Sequence, residues 1–239
     1  MGELSIVIPA FNEEKSLEYS LQKIIDYGEK NFSDYEILVI NDGSQDATAD
    51  IAEKFKAKKV KLIQNPKNMG KGFSVKLGMI NAKYDLILFT DADLATPIEE
   101  LPKFLKSIEE GYDIAIASRS IEGANIEVAQ TKYRQVLGKA FPILVQNMVL
   151  KDFKDTQCGF KVFKKEAARK IFPRQTLQRW AFDVEILYIA KKLGYKIKEI
   201  PVTWIDKGNS KLSPMKDSFK MFYEITKIKY NDLKKEYKP

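Results

Sequence analysis

The chain has 239 residues, suited to one large domain or two small ones, and its 44% apolar and 11% aromatic content supplies a core and excludes disorder for most of its length. Its single cysteine, Cys158, excludes a disulfide scaffold and points to a reducing compartment, and the lack of any histidine removes the usual imidazole base and zinc ligand. A net charge of +7 suits nucleic acid, an anionic membrane surface or phosphorylated small molecules alike, so only its distribution discriminates among them.

Met1-Gly2-Glu3-Leu4 runs directly into an apolar stretch ahead of Pro9. That leaves no room for the basic and apolar regions of a signal peptide, so a cytoplasmic location is expected. Short β-branched runs then alternate with amphipathic stretches. Strands are expected at 4–8, 36–40, 60–64, 86–90 and 114–117. Between them, apolar residues at three- and four-residue spacing predict helices at 14–27, 47–56, 73–81 and 98–109. Runs such as Leu38-Val39-Ile40 and Leu86-Ile87-Leu88-Phe89 are apolar on both faces, as in central strands covered by helices on each side. The fold class is α/β, a mainly parallel central sheet flanked by helices.

In such a sheet ligands bind beyond the carboxyl ends of the strands. Here those ends read Pro9-Ala10-Phe11-Asn12-Glu13, Asn41-Asp42-Gly43-Ser44, Asp91-Ala92-Asp93 and Ser118-Arg119, so carboxylates and small residues converge. Asp42-Gly43-Ser44 followed by Asp46 is also compatible with a plain turn and helix cap, and Asn12-Glu13-Glu14 with a favourable helix start. Asp91 and Asp93 follow a buried strand, and two carboxylates in one extended tripeptide repel unless solvent or a cation neutralises them. Strand alternation predicts that the two point the same way, onto one Mg2+ or Mn2+ ion. The loop Asn65-Pro66-Lys67-Asn68-Met69-Gly70-Lys71-Gly72 has the glycines, the lysine and the following helix of a phosphate cradle. It lacks the Walker A spacing, and no Gly-x-Gly-x-x-Gly follows the first strand, so neither an ATPase nor a dinucleotide enzyme is supported.

Taken together with Ala117-Ser118-Arg119, these five ordered motifs resemble the family 2 glycosyltransferases of the GT-A fold. Asp155-Thr156-Gln157-Cys158-Gly159-Phe160-Lys161 and Arg179-Trp180-Ala181-Phe182-Asp183-Val184-Glu185 resemble the dolichyl-phosphate β-glucosyltransferase branch, and Ser210-Lys211-Leu212 is similar to the polyprenyl-phosphate subgroup. The resemblance implies an inverting transfer of a hexose, glucose above all, from a UDP-sugar to dolichyl or polyprenyl phosphate. It implies Pro9, Ala10, Glu13 and Asp42 around the nucleoside, and Lys71 and Ala92 at the donor. Asp91 and Asp93 would hold the metal, and Arg119, Arg134 and Lys211 would face the lipid phosphate. Asp93 and Asp183 are the expected catalytic residues. A phosphate acceptor is already anionic, so a general base is less needed than for a hydroxyl, which fits a chain without histidine.

The same pattern admits a transferase acting on a glycan hydroxyl, with Asp183 as a true base, or a non-catalytic nucleotide-sugar-binding module. Nucleic acid is not expected, because the lysines are interleaved with acids and no aromatic-basic stripe occurs. Cys158 reads as a small buried hydrophobe. Residues 1–212 are expected to form the catalytic domain, with 1–119 binding the nucleotide-sugar and 120–212 the acceptor, and 213–239 a basic amphipathic helix. Residues 133–150 are apolar but interrupted by Arg134, Lys139 and Pro142, poor material for a membrane span. From 216 to 238 seven lysines face four acids, and Met215, Phe219, Phe222, Ile225 and Ile228 recur at helical spacing. That stripe suits either peripheral contact with the cytoplasmic membrane face, directly or through a membrane subunit, or packing on the domain. Residues 206–214 are expected to form a mobile loop carrying Lys211.

Overall fold

The computed structural model describes residues 2–127, 149–207 and 214–238, the last from residue 223 onward in its side chains. Five strands open the chain: β1 (Glu3–Ala10), β2 (Asp34–Asn41), β3 (Val60–Gln64), β4 (Leu86–Thr90) and β5 (Ile114–Ser118). They fall where the apolar runs predict them. Helices α1 (Leu17–Asn31), α2 (Thr48–Lys54), α3 (Lys71–Asn81) and α4 (Leu101–Glu109) connect them. The start of α1 is delayed because the amides of Ser16 and Leu17 donate to the Glu13 carbonyl in a preceding turn.

Past residue 119 come β6 (Asn125–Glu127), β7 (Phe160–Lys164), α5 (Lys165–Ile171), α6 (Phe182–Lys192), β8 (Ile197–Pro201), β9 (Thr203–Ile205) and α7 (Pro214–Leu233). Seven strands form one sheet in the order β3-β2-β1-β4-β7-β5-β8, with β6 and β9 as a separate pair. All are parallel to their neighbours except β7, which runs antiparallel between β4 and β5. Its start therefore lies at the carboxyl end of β4, with Phe160 opposite Thr90.

Both faces of the sheet are covered, which is why the central strands read as unbroken apolar runs. Leu4, Ile6, Ile8 and Leu88 pack with α1, α2 and α4 on one side. Val7, Ile87 and Phe89 pack with α3, α5, α6 and α7 on the other. Ile225 and Ile228 are buried in that second core, so for these two residues the apolar stripe of α7 packs on the domain rather than facing a bilayer. The side chains of Met215, Phe219 and Phe222, the mobile loop expected at 206–214 from residue 208 to 213, and most of the 133–150 tract lie outside the described residues. Among the described residues no helix is long and apolar enough to cross a membrane.

Candidate active site

At the carboxyl ends of β1, β2 and β3 the loops clasp one another. The amide of Asn12 donates to Ser44 Oγ (2.9 Å), the amide of Gln45 to Asn12 Oδ1 (2.9 Å), and the amide of Glu13 to Thr48 Oγ1 (2.8 Å). Between them opens a cavity of about 640 Å³ whose lining includes Phe11, Asn41, Gly43, Ser44, Asn65 and Lys67. Of the residues expected around a nucleoside, Glu13 is half-exposed, its Oε2 accepting from Ser16 Oγ at 2.7 Å, and the other three stand behind that wall. Pro9 and Ala10 are buried in β1 opposite Ile40 and Asn41. Asp42 is buried as well: its Oδ1 accepts from Asn65 Nδ2 (2.7 Å) and the Met69 amide (2.9 Å), its Oδ2 from the Gly70 amide (2.8 Å). Its carboxylate thus shapes the 65–70 loop. Asp46 instead holds the turn ahead of α2, its Oδ1 accepting from the Thr48 amide at 3.0 Å.

Beyond the cavity the charges concentrate at the end of β4. The strand stops at Thr90, and residues 91–94 turn, with the Leu94 amide donating to the Asp91 carbonyl and Leu94 at φ 49°. Asp91 and Asp93 are therefore neighbours through a turn, not through strand alternation as the sequence predicts. Burial, then Asp91, then Glu13 push the Asp93 carboxyl up to about 6. Lys71, the first residue of α3, holds Asp91 Oδ1 at 2.6 Å, and its ammonium lies 5.7 Å from the ring centre of Trp180. Burial lowers the Lys71 pKa, but Asp91, Asp183 and Asp93 outweigh it and hold the group above the usual lysine range. Ala92 is buried between the two aspartates.

These residues fit a hard divalent ion of a particular kind. Two neighbouring carboxylates, of which Asp93 is buried with its charge disfavoured, are relieved by a cation with oxygen ligands. Yet among the described residues no group of three or more His, Cys, Asp or Glu could hold a metal. Such a pair suits an ion whose coordination is completed by substrate phosphates and water, the usual habit of Mg2+.

Asp183, in the first turn of α6, is buried and paired with Lys161 on β7, whose ammonium also donates to the Cys158 carbonyl at 2.7 Å. Burial pushes the Asp183 carboxyl up, against the pull of Lys161 and Lys71. Lys161 went unassigned in the sequence, although a lysine inside the apolar run Phe160-Lys161-Val162-Phe163 was the available signal. Breaking a buried pair by removing one partner costs roughly 3–5 kcal/mol. Lys161→Met is accordingly expected to lower unfolding free energy by about that much in denaturant titration, and an unchanged midpoint would contradict it.

Arg119, at the end of β5, is forked onto Asp155, Nε to Oδ2 at 2.7 Å and the second guanidinium nitrogen to Oδ1 at 3.0 Å, and packs over Trp204. Burial works to raise Asp155, but the Arg119 guanidinium outweighs it and holds the carboxyl at about 2. A carboxyl that titrates lower folded than unfolded stabilises fully above about pH 4 and loses that contribution as pH falls toward 2. Asp155→Asn is expected to remove about 2 kcal/mol at pH 7 and to flatten the acid limb of stability, read as melting temperature against pH. Cys158 is buried, its thiol pushed up to about 11 by burial, in keeping with a packing role. Arg134 and Lys211 lie outside the described residues.

Comparison with known proteins bears on all of this. Residues 5–172 match the family described as Glycosyl transferase family 2. A dolichyl-phosphate beta-glucosyltransferase of Trichomonas vaginalis is 40% identical over 237 residues, covering 94% of this chain and 70% of that protein. One of Dictyostelium discoideum is 38% identical, covering 96% of this chain and 75% of its own length. Among solved structures, glucosyl-3-phosphoglycerate synthase of Mycobacterium tuberculosis in complex with Mn2+ and UDP-glucose superposes with a TM-score of 0.66 at 14% identity, over 94% of this chain and 76% of that one.

Proposed function

The chain belongs to glycosyl transferase family 2, with the GT-A fold, and from that membership we propose that it moves glucose from UDP-glucose to dolichyl phosphate or a related polyprenyl phosphate. The chain is a glycosyltransferase; the sugar and acceptor come from the relatives' names, and the donor from the nucleotide seen in the structural neighbour. The observation that carries the reading is a cavity at the ends of β1–β3 whose lining ends at Asn68, on the loop that leads into Lys71 and its partner Asp91 beside Asp93, with Arg119 within electrostatic reach of Asp91. In this reading the base and ribose take the cavity, and the diphosphate falls on the first turn of α3, where a helix N-terminus and a lysine both favour negative charge.

In this reading an oxygen of the acceptor phosphate attacks the anomeric carbon as the bond to UDP breaks, with inversion. A divalent cation held by Asp91 and Asp93, Mg2+ or Mn2+, would stabilise the charge developing on the departing diphosphate. Lys71 adds a fixed positive charge on the same group, and Arg119 draws the second anion, together with Arg134 and Lys211. Asp183 positions the sugar or acceptor rather than taking a proton: its carboxylate is buried and already engaged by Lys161. That observation favours an anionic acceptor over a glycan hydroxyl, which needs a free base.

Transfer of radiolabel from a panel of UDP- and GDP-sugars to a short polyprenyl phosphate tests donor, acceptor and reaction together. Label from UDP-glucose in the lipid phase is the expected result, and label only on a glycan acceptor would overturn it. Peripheral membrane contact belongs to the same proposal. With Ile225 and Ile228 in the core, contact would fall to exposed groups of α7 such as Tyr223, Tyr230 and Leu233 beside its lysines. The protein is expected to sediment with anionic vesicles at low salt and to be released by high salt; no sedimentation would discard direct attachment in favour of a membrane partner.

A further inference from the structure

Downstream of the segment that matches the family, a buried polar network ties the far end of the chain to the phosphate-binding turn. Glu185 on α6 is fully buried, and its carboxylate accepts from the amides of Thr176 (3.0 Å) and Leu177 (2.8 Å) and from the hydroxyls of Thr176 (2.6 Å) and Tyr237 (2.6 Å). Asn231 near the end of α7 donates to Thr176 Oγ1 (2.9 Å) and to the Tyr237 hydroxyl (3.2 Å). Tyr237 is itself fully buried, and burial together with Glu185 pushes its phenol far above the usual range. Arg174 Nε donates to the Lys238 carbonyl at 2.8 Å, closing a second link from the same segment.

The other side of the 173–178 segment grips the first turns of α3. Gln175 Nε2 donates to the Gly72 carbonyl (2.8 Å), the Phe73 amide donates to the Gln178 carbonyl (3.1 Å), and Lys76 Nζ donates to the Gln175 carbonyl (2.8 Å). Contact is so close that a Cβ on Gly70 would stand 2.4 Å from the Gln178 carbonyl oxygen, and one on Gly72 2.7 Å from Phe182 Cβ. Lys71 lies between these two glycines.

We propose that Glu185, Thr176 and Tyr237 are positioning residues for the donor diphosphate: the 231–238 segment braces the 173–178 segment, which sets the first turn of α3 and with it Lys71. The proposal rests on the reading of Lys71 and the α3 N-terminus as the diphosphate site. Physically, a carboxylate that accepts several hydrogen bonds in a dry interior holds its donors stiffly, because each unmade bond there is costly. A helix N-terminus contributes to anion binding only while its amides and lysine stay aimed at the ligand.

Tyr237→Phe removes one hydroxyl and keeps the buried ring, so the fold is retained. Hydrogen exchange and equilibrium titration are the two measurements. In the variant, amides 71–76 are expected to exchange faster than in the parent protein while those of β1 are unchanged. Affinity for UDP is expected to fall roughly 3- to 10-fold, a part of what a charge-assisted hydrogen bond contributes, with affinity for uridine unaltered because the cavity lining ends at Asn68, ahead of the residues the 173–178 segment grips. KM for the UDP-sugar then rises while KM for the lipid phosphate does not. Glu185→Gln should show the same pattern more strongly. Unchanged exchange over 71–76, or equal weakening of uridine and UDP, would overturn the brace. A parent protein that fails to bind UDP would instead count against the donor reading, and the exchange comparison, which uses no ligand, would still judge the brace.

Discussion

Replacing Asp93 with alanine lowers the rate of sugar transfer by about 100- to 1000-fold, the loss typical of removing one electrostatic contributor to a transition state. The expectation follows from where the carboxyl sits. Burial, Asp91 and Glu13 all disfavour its charge, so it gains unusually from a cation and from the diphosphate that cation would accompany. Asp93 Oδ1 also accepts from the Ala95 amide at 3.1 Å, which makes asparagine the informative companion. Asp93→Asn keeps an acceptor for that amide and loses the charge. If the residue serves the metal, asparagine fails nearly as badly as alanine; if it only shapes the turn, asparagine restores the rate. Steady-state transfer at graded Mg2+ and Mn2+ reads the difference. Full activity in Asp93→Ala, or turnover undiminished in excess chelator, would remove the metal from the reading.

A single methyl group at position 159 is expected to do comparable harm. A Cβ on Gly159 would fall 2.0 Å from Asp91 Oδ2 and 2.5 Å from its Oδ1, far inside any tolerable contact. Backbone retreat is blocked, because the Asp91 amide donates to the Gly159 carbonyl at 3.0 Å where β7 lies against β4. The side chain of Asp91 must therefore swing away, abandoning Lys71 and its place beside Asp93. Gly159→Ala is expected to cost about 100-fold or more in turnover, with melting temperature little changed if the strands stay paired. The double variant Gly159→Ala, Asp91→Ala should be no worse than Asp91→Ala alone, since both act through one carboxylate and their effects do not add. Wild-type turnover in Gly159→Ala would show that Asp91 works from elsewhere.

Gly159 lies inside the motif Asp155 to Lys161, but nothing local gives it a role, and that contrast separates what was legible from what was not. The first four strand-helix units could be read because the signal is local: apolar runs for strands buried on two faces, three-and-four spacing for helices. Strand β7 escaped for a physical reason. Lys161 and Lys164 break up its apolar residues Phe160, Val162 and Phe163, yet Lys161 is buried because Asp183 arrives from α6 to meet it. Asp42 shows the converse. Its motif placed it correctly at a strand end, but three donors from the 65–70 loop turned its carboxylate inward, leaving Phe11, Asn41, Gly43 and Ser44 to face the cavity.

By itself the sequence determined the class of the fold, the order of its strands' chemistry and the positions where carboxylates, glycines and lysines cluster, because hydrophobic periodicity and turn composition act between near neighbours in the chain. Only the tertiary structure decided which charge meets which: Lys71 with Asp91, Lys161 with Asp183, Arg119 with Asp155, Tyr237 with Glu185. Those partners lie 20 to 52 residues apart in sequence. Burying an unpaired charge costs more than almost any other local error, so the partner is chosen by what packing brings within reach, and packing is a property of the whole sheet.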